Sequence, residues 1–429
     1  MTGVRRQIAA TFASLEYFNY RLWFFGSLVS NLGAWVQRTG QDWLVLKILT
    51  NQNAFAAAVV IALQFIPVIL LSPYAGLLAD RLPRRKLLMA TQAGQGVLAF
   101  ALGVMTLTGA VRLWHVFVFA FLLGCVTAID GPVRQTFVTE MVPPHMLPNA
   151  VGLNSASFNS SRLLGPALAG LLIQAVGPGW AFMINGVTFA ATILGLTLMR
   201  QNELHITARV ERAKGQIREG IQYVKGRRDL VMIFIVMAVI SCLGINSQLT
   251  IPLMATKVFD RQAGQFGLLS SFFGVGALVG ALLAARRRRP RLRLILSAAF
   301  AFGVVSILSA VMPTYATFGI TGILVGLCTM TLITGANATV QMSTDEAIRG
   351  RVVALYLVVF QGVTPLGTMI VGWIAQGWST RASIGIGGVA ALVVAVAALV
   401  WARRNWNIRV HLDQVLPPHI SVHQPPDAR

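Results

Sequence analysis

Residues 54–86 read AFAAAVVIALQFIPVILLSPYAGLLADRLPRRK, and no charge occurs before Asp80. At a rise of 1.5 Å per residue, the uncharged part makes a helix of about 39 Å, longer than the roughly 30 Å hydrocarbon core of a bilayer. Asp80, Arg81, Arg84, Arg85 and Lys86 follow within seven residues. An uncharged helix that runs directly into a cluster of cations is a transmembrane span meeting a cytoplasmic surface.

The same unit recurs on both sides of this stretch. Of 429 residues, 55% are hydrophobic and 11% are charged, with a mean hydropathy of +0.69. A soluble chain carries about 25% charged residues. Twelve spans can be drawn, at approximately 19–46, 54–79, 87–109, 113–137, 149–175, 178–199, 230–256, 263–285, 294–312, 314–340, 351–376 and 382–402. The expected fold is an all-α polytopic membrane protein with 12 transmembrane helices. The net charge of +21 would suggest nucleic acid in a soluble chain. Here the basic residues sit in the gaps between spans, and a nucleic-acid partner is excluded. With the N-terminus inside, 28 Lys and Arg fall on the inner face and five on the outer. Both termini are therefore expected in the cytoplasm. Residues 1–16 contain no apolar stretch ending in a small-residue cleavage site, so no cleavable signal peptide is expected.

The longest inner connection divides the chain into residues 1–199, a linker at 200–229, residues 230–402 and a cytoplasmic tail at 403–429. In the linker, Ile217, Ile221 and Val224 share one helical face among basic residues, which predicts an amphipathic helix on the inner membrane surface. A shift of 202 residues lays Asn149–Gln174 over Arg351–Gln376, matching Gly165 with Gly367, Gly170 with Gly372 and Gln174 with Gln376. Two pseudo-symmetric six-helix bundles with a binding site between them are a secondary-transporter architecture. Cys125, Cys242 and Cys328 lie inside spans at unrelated spacings, as packing residues do. There is no G-x-x-x-x-G-K-[ST] loop, metal-ligand cluster or nucleophile constellation, so neither ATP-driven transport, a metal, a cofactor nor an enzyme is expected.

The connection Gly76-Leu-Leu-Ala-Asp80-Arg81-Leu-Pro83-Arg84-Arg85 resembles the G-x-L-A-D-R-x-G-R-[RK] signature of the major facilitator superfamily, with Pro83 at the family's last glycine. Further stretches run from Asp130-Gly-Pro132-Val-Arg134 to Glu140, from Ser30 to Gln37, and through Arg162-Leu-Leu-Gly165-Pro166. Together they resemble the enterobactin-exporter-like branch, also called transmembrane secretion effectors. The resemblance implies paired six-helix bundles, rocker-switch alternating access, and export of a small molecule that is usually driven by protons. It also implies a conformational latch of Gly76, Asp80, Arg81, Arg84, Asp130 and Arg134. In that latch Asp80 meets the start of span eleven and Arg84 pairs with Asp130. Gly165, Pro166 and Gly170 resemble a shortened antiporter motif that either bends the helix or packs it closely. Ala120 stands where many proton-driven drug exporters of the superfamily carry an arginine, so proton coupling does not follow from that motif.

Charges inside spans are few, and each costs about 2.5–3.5 kcal/mol at the bilayer centre on insertion scales. Arg162 lies at mid-span with Asn154, Ser155 and Asn159, where positions 155, 159 and 162 share a face. These are candidates for the cavity wall, the alternative being an arginine satisfied by local carbonyls and hydroxyls. Asn31 is a further cavity candidate in the first span. Arg38 and Asp42 are spaced i,i+4 and read either as a proton-coupling pair or as a structural ion pair. Asn246, Asn337, Gln341 and Gln361 are cavity candidates from the second half. The arginine run at 286–289 reads as an anchor to the inner surface.

The expected function is proton antiport that exports drug, antibiotic or siderophore-like molecules from a bacterial inner membrane. A positive centre hints at anionic, phenolic or neutral amphipathic substrates. The rivals are an uptake symporter and a non-transporting receptor. The expected partners are a small-molecule substrate, protons and the lipid bilayer, and the chain is expected to act as a monomer.

Overall fold

A computed structural model describes residues 11–205, 216–285, 292–345, 348–406, 409–413 and 419–423. Residues 72, 73, 76, 77, 79, 80, 216–218, 285, 405, 406 and the two strands are described by backbone alone. The Arg286–Arg289 run lies outside the described residues.

The first half comprises α1 (Phe18–Trp43), α2 (Ala54–Arg81), α3 (Arg84–Leu107), α4 (Leu113–Met141) and the 51-residue α5 (Leu147–Thr197). The short α6 (Gln216–Gly226) leads into the second half. There α7 (Arg228–Val239) and α8 (Ser247–Leu253) together form one crossing, followed by α9 (Ala263–Ala285), α10 (Leu292–Ala310) and α11 (Tyr315–Ser343). The next crossing, α12 (Arg349–Gly362) with α13 (Thr364–Gly377), is interrupted at Val363, and α14 (Thr380–Trp406) completes the set. Strands β1 (Arg409–Asp413) and β2 (His419–His423) then pair as an antiparallel hairpin within the expected tail.

Ten helical stretches among the described residues are long and apolar enough to cross a membrane. One of these, α5, folds back at Gly177 to give two crossings, and the more polar α1 supplies the twelfth. The chain thus has the expected all-α, twelve-helix architecture of two pseudo-symmetric six-helix bundles.

Local chemistry sets the helix ends. The Asn53 side chain accepts from Ala56 N at 3.0 Å, which satisfies one of the unpaired amides at the start of α2. Thr314 and Thr317 exchange hydrogen bonds at the start of α11. Gly177 adopts φ 83 and ψ 165, a region essentially reserved for glycine, and Pro178 then starts the second arm of α5 with its φ already helical. An added Cβ at Gly177 meets nothing within 4 Å, so the backbone alone demands glycine. Gly177→Ala should therefore cost about 1–3 kcal/mol of stability through the dihedral angles. Denaturation in detergent measures this, and an unchanged unfolding midpoint would show that the turn relaxes freely.

Glycine also brings helices into close contact. Gly33 and Gly40 let α1 lie on the second arm of α5 at Asn185, Thr188 and Phe182, while Gly276 and Gly326 lock α9 to α11. Each half has its own core. One surrounds Trp23, Leu88 and Phe137, and the other surrounds Met237, Phe302 and Tyr356. Two further clusters draw from both halves, one joining Leu44 and Ala58 to Leu249, Val371 and Ala375, the other joining Val36, Ala169 and Ile173 to Ala263.

The first crossing of each half ends in the same under-wound turn. α1 runs into a π-helical turn at Leu44–Leu49, and α8 into one at Met254–Val258. Thr50 N donates to Val45 O and Phe259 N to Met254 O. Gln52 N donates to Leu46 O and Arg261 N to Ala255 O. The loops that follow use positive φ at Asn51, Gln52 and Asp260.

The linker helix packs against the second half. Val224 is buried in the second-half core, Glu219 pairs with Arg351, and Gly220 abuts the Arg351 backbone. Thus α6 docks on the start of α12, with Ile221 exposed and the Ile217 side chain outside the described residues. The reason is a specific partner: an ion pair and one buried valine fix the helix on protein.

Candidate functional site

Among the described residues, the hydrogen bonds and ion pairs that join the two halves run from mid-depth to one end. At that end Lys47 Nζ lies 2.6 Å from Asp260 Oδ1, and Gln52 Nε2 donates to Thr256 O at 3.2 Å. The Gln376 side chain accepts from Ala54 N at 2.9 Å, so a residue of α13 caps the N-terminus of α2. Gln174, its counterpart in the 202-residue overlay, sits at the start of α9, where its amide meets Gln262 at 3.5 Å. The hydrogen bond and charge of Lys47 hold the Asp260 carboxyl below the ordinary carboxylate range. The pair therefore stays ionised through neutral pH and is lost only as pH falls through that lowered value.

Deeper in, α5 crosses α9 at glycine. Gly170 faces Ala263 and Gly267, and Gly267 faces the Pro166 carbonyl. The Ser271 hydroxyl donates to Leu163 O at 2.7 Å. Gly165 meets Trp35 of α1. Within α5 the one non-helical backbone pair is at Gly177, so Gly165 and Pro166 keep helical dihedrals. Of the two expected roles, bending and close packing, this structure displays close packing. Toward the opposite end no hydrogen bond or ion pair joins two described residues across the halves, and Ser155, Gln341 and Gln361 stand exposed.

Arg162 lies midway between the start of α5 and Gly177. Its guanidinium reaches across to the second half, with Nη2 4.0 Å from Met330 Sδ. Among the described residues no carboxylate pairs with it. Ser155 and Asn159 stand on the same face, Asn159 donating to Ser155 O at 2.8 Å. Asn154 is half-buried beside them. Ser157 and Ser161 turn the other way and are buried.

Arg38 and Asp42 do not meet as the expected ion pair. The Arg38 guanidinium sits 4.9 Å over the Trp35 ring instead, and both charged residues are half-buried. Cation–π contact with an aromatic one turn away outcompetes the carboxylate one turn on. Trp35 packs on α5 and Trp43 on Phe266 of the second half, so this face of α1 looks toward the junction of the halves. Asn31 is half-buried on α1.

From the second half, Asn337 and Gln341 come together on α11, with Gln341 Nε2 donating to Asn337 Oδ1 at 3.1 Å. Gln361 is exposed just before the α12–α13 interruption. Asn246 is different: it is buried, donating to Cys242 O at 2.8 Å and accepting from Thr368 at 2.9 Å. It clasps the break between α7 and α8 to α13. Both ends of its amide are occupied, which corrects its expected place on the cavity wall.

The latch is also wired differently in this conformation. Arg84 Nη1 lies 2.5 Å from Glu140 Oε1. Asp130 accepts from Arg134 at 3.0 Å, from Thr91 at 2.8 Å and from Gln92 at 2.8 Å. Arg134 also stacks 5.1 Å over Trp23 and donates to Ser27. The expected Arg84–Asp130 pair is replaced because Arg134, one turn along the same helix, already occupies Asp130. Arg81 is exposed at the end of α2, while Gly76 and the Asp80 side chain lie outside the residues described in detail.

Sequence reasoning missed Lys47, Asp260, Gln376 and Glu140. Only Gln376 had left a signal, as an identity between the halves.

Residues 9–423 match the family described as transmembrane secretion effector. The chain is 24% identical over 400 residues to the staphyloferrin A transporter of Staphylococcus aureus, covering 92% of this chain and 98% of that one. It is 25% identical over 361 residues to the multidrug efflux pump Tap of Mycobacterium tuberculosis, covering 81% and 85%. Among solved structures, a POT family transporter in complex with 5-aminolevulinic acid superposes with a TM-score of 0.74 at 11% identity, over 90% of this chain and 96% of that one. A bacterial homologue of the lysosomal transporter Spinster, inward-facing and occupied, gives 0.70 at 14% identity, over 91% and 98%.

Proposed function

The chain belongs to the transmembrane secretion effector family of major facilitator transporters, and from that premise we propose that it exports small organic molecules by alternating access as a proton antiporter. The reading places it in a bacterial inner membrane as a monomer with both termini in the cytoplasm. The observation that carries it is the one-sided seal. The halves are bonded from mid-depth to the Lys47–Asp260 end, while the end bearing the Arg81–Lys86 cluster has none of these bonds among the described residues. With the basic cluster inside, this is the state that takes up substrate from the cytoplasm. The names of the relatives, a siderophore transporter and a multidrug efflux pump, support export of drug, antibiotic or siderophore-like compounds.

Asp42 is the residue we assign to the proton. It lies two turns from Trp35 and beside Trp43 on the face of α1 that looks toward the junction, and among the described residues no salt bridge holds it. One proton crossing about 150 mV supplies roughly 3.5 kcal/mol, enough for a concentration ratio of a few hundred. Asp42→Asn should lower energised efflux at least tenfold while leaving substrate exchange across the membrane intact. The test is efflux of a panel of antibiotics, siderophores and dyes from exporter-deficient cells, with and without protonophore, beside exchange in proteoliposomes. Efflux by the variant that still collapses with protonophore would remove Asp42 from coupling. Accumulation raised by the wild-type chain would make it an importer.

A further inference from the structure

We propose that the substrate is a small organic anion whose oxyanion docks on Arg162 and whose apolar body lies against Trp35. This deepens the export reading, resting on it for the direction of travel and on its own geometry for the chemistry. Arg162 stands at mid-depth on the arm of α5 that crosses to the second half, and its guanidinium reaches the Met330 thioether across the junction. The second-half elements packed around that point bring no carboxylate. Helix α9 and the whole of α11 contain no acidic residue, and α12 and α13 contain none. On α1 the charges are Arg21, Arg38 and Asp42, with Arg38 engaged on Trp35. The junction therefore holds two arginines and one acid, and Arg162 is the cation without a fixed partner among the described residues. A guanidinium presents a planar fork of donors that matches a carboxylate or similar oxyanion, and it holds its charge at any physiological pH.

The approach is polar on both walls. The first arm of α5 and α11 run in opposite senses, so Ser155 and Asn337 each lie seven residues from the Arg162–Met330 level, toward the open end. Their neighbours Asn159 and Gln341 bond back to them. That leaves the Asn159 carbonyl and the Asn337 amide for a passing solute. Beyond Arg162, Trp35 packs on Gly165, and Arg38 follows one turn further. By helical rise the two cations are separated by about 9 Å along the axis, with the indole between them. An anion with an aromatic or aliphatic body fits that order of charge, apolar surface and charge.

The test is equilibrium dialysis of radiolabelled 2-naphthoate and 2-naphthamide against the full chain in nanodiscs, with naphthalene-2,6-dicarboxylate as a third probe. Wild type should bind naphthoate at least tenfold more tightly than the amide. Arg162→Gln should erase that preference, and Arg162→Lys should keep part of it, which separates lost charge from lost fold. Arg38→Gln should weaken the dicarboxylate more than the monocarboxylate. Equal binding of acid and amide, a preference that survives Arg162→Gln, or no binding of either probe to folded protein would overturn the proposal. Protonophore-sensitive efflux of a cationic dye such as ethidium, unaffected by Arg162→Gln, would sustain export while this inference fails. Arg162-dependent naphthoate binding without energised movement of any probe would do the reverse.

Discussion

Gly267→Val should abolish transport while leaving a folded protein. An added Cβ at Gly267 would overlap the Pro166 carbonyl oxygen and stand 3.1 Å from the Gly170 Cα, both on the facing half. Backbone cannot swing aside as a side-chain tip can, and forcing extra atoms into a well-packed contact costs about 1–3 kcal/mol. The penalty applies to the sealed arrangement and is relieved when α5 and α9 part. It therefore appears as a population shift of roughly five- to 150-fold away from the sealed state. Two readouts follow. Transport should fall at least tenfold, and a disulfide engineered between positions 47 and 260 should form far less readily. Gly276→Val is the control. Its Cβ would overlap the Ile323 carbonyl inside the second half, so it should destabilise the fold itself and lower expression. Unchanged transport and cross-linking in Gly267→Val would show that this crossing is not part of the cycle.

Asp130→Ala should be among the most destabilising single changes at the basic end. The carboxylate is buried and accepts from Arg134, Thr91 and Gln92. Its removal strands a guanidinium whose side chain is itself only 17% exposed, and leaving one partner of a buried pair alone costs about 3–5 kcal/mol. The double variant Asp130→Asn with Arg134→Gln removes both charges and should recover most of that loss. Unfolding in detergent of the two single variants and the double closes the cycle. Additive losses would mean that the two residues act independently and that the pair holds nothing together.

Depth and helical face were legible in the sequence, whereas partners across the junction were not. Residues 54–86 alone announce a span and its cytoplasmic end, and the mid-span position of Arg162 follows from counting. The 155–159–162 stripe needs only a period of 3.6. What failed depends on which helix lies opposite. Arg84 finds Glu140 because α3 starts beside the end of α4, a geometry that no spacing records. Asn246 reads as a polar lining residue until α13 is seen to bring Thr368 onto it. Lys47 and Asp260 lie 213 positions apart, at the ends of different bundles. The linker helix carried an amphipathic pattern, but its docking on α12 through Glu219 could not be read from that pattern. Among the residues of the seal, only Gln376 could have been suspected, because its twin Gln174 survives in the other half.

A duplicated gene begins with two identical rims, so every asymmetry between the copies was acquired later. The under-wound turns at Leu44–Leu49 and Met254–Val258 keep the same backbone pattern, down to the matching amide donors. Across those turns Lys47 corresponds to Thr256 and Asn51 to Asp260. One diagonal of the rim thus became a charged couple, while the other kept a neutral bond from Gln52 to the Thr256 carbonyl. The backbone of the two turns matches while these side chains differ, giving the mouth of the protein a strong side and a weak side. An opening that parts at the neutral diagonal first would be hinged on the charged one, and the handedness of the motion would then be younger than the fold that performs it.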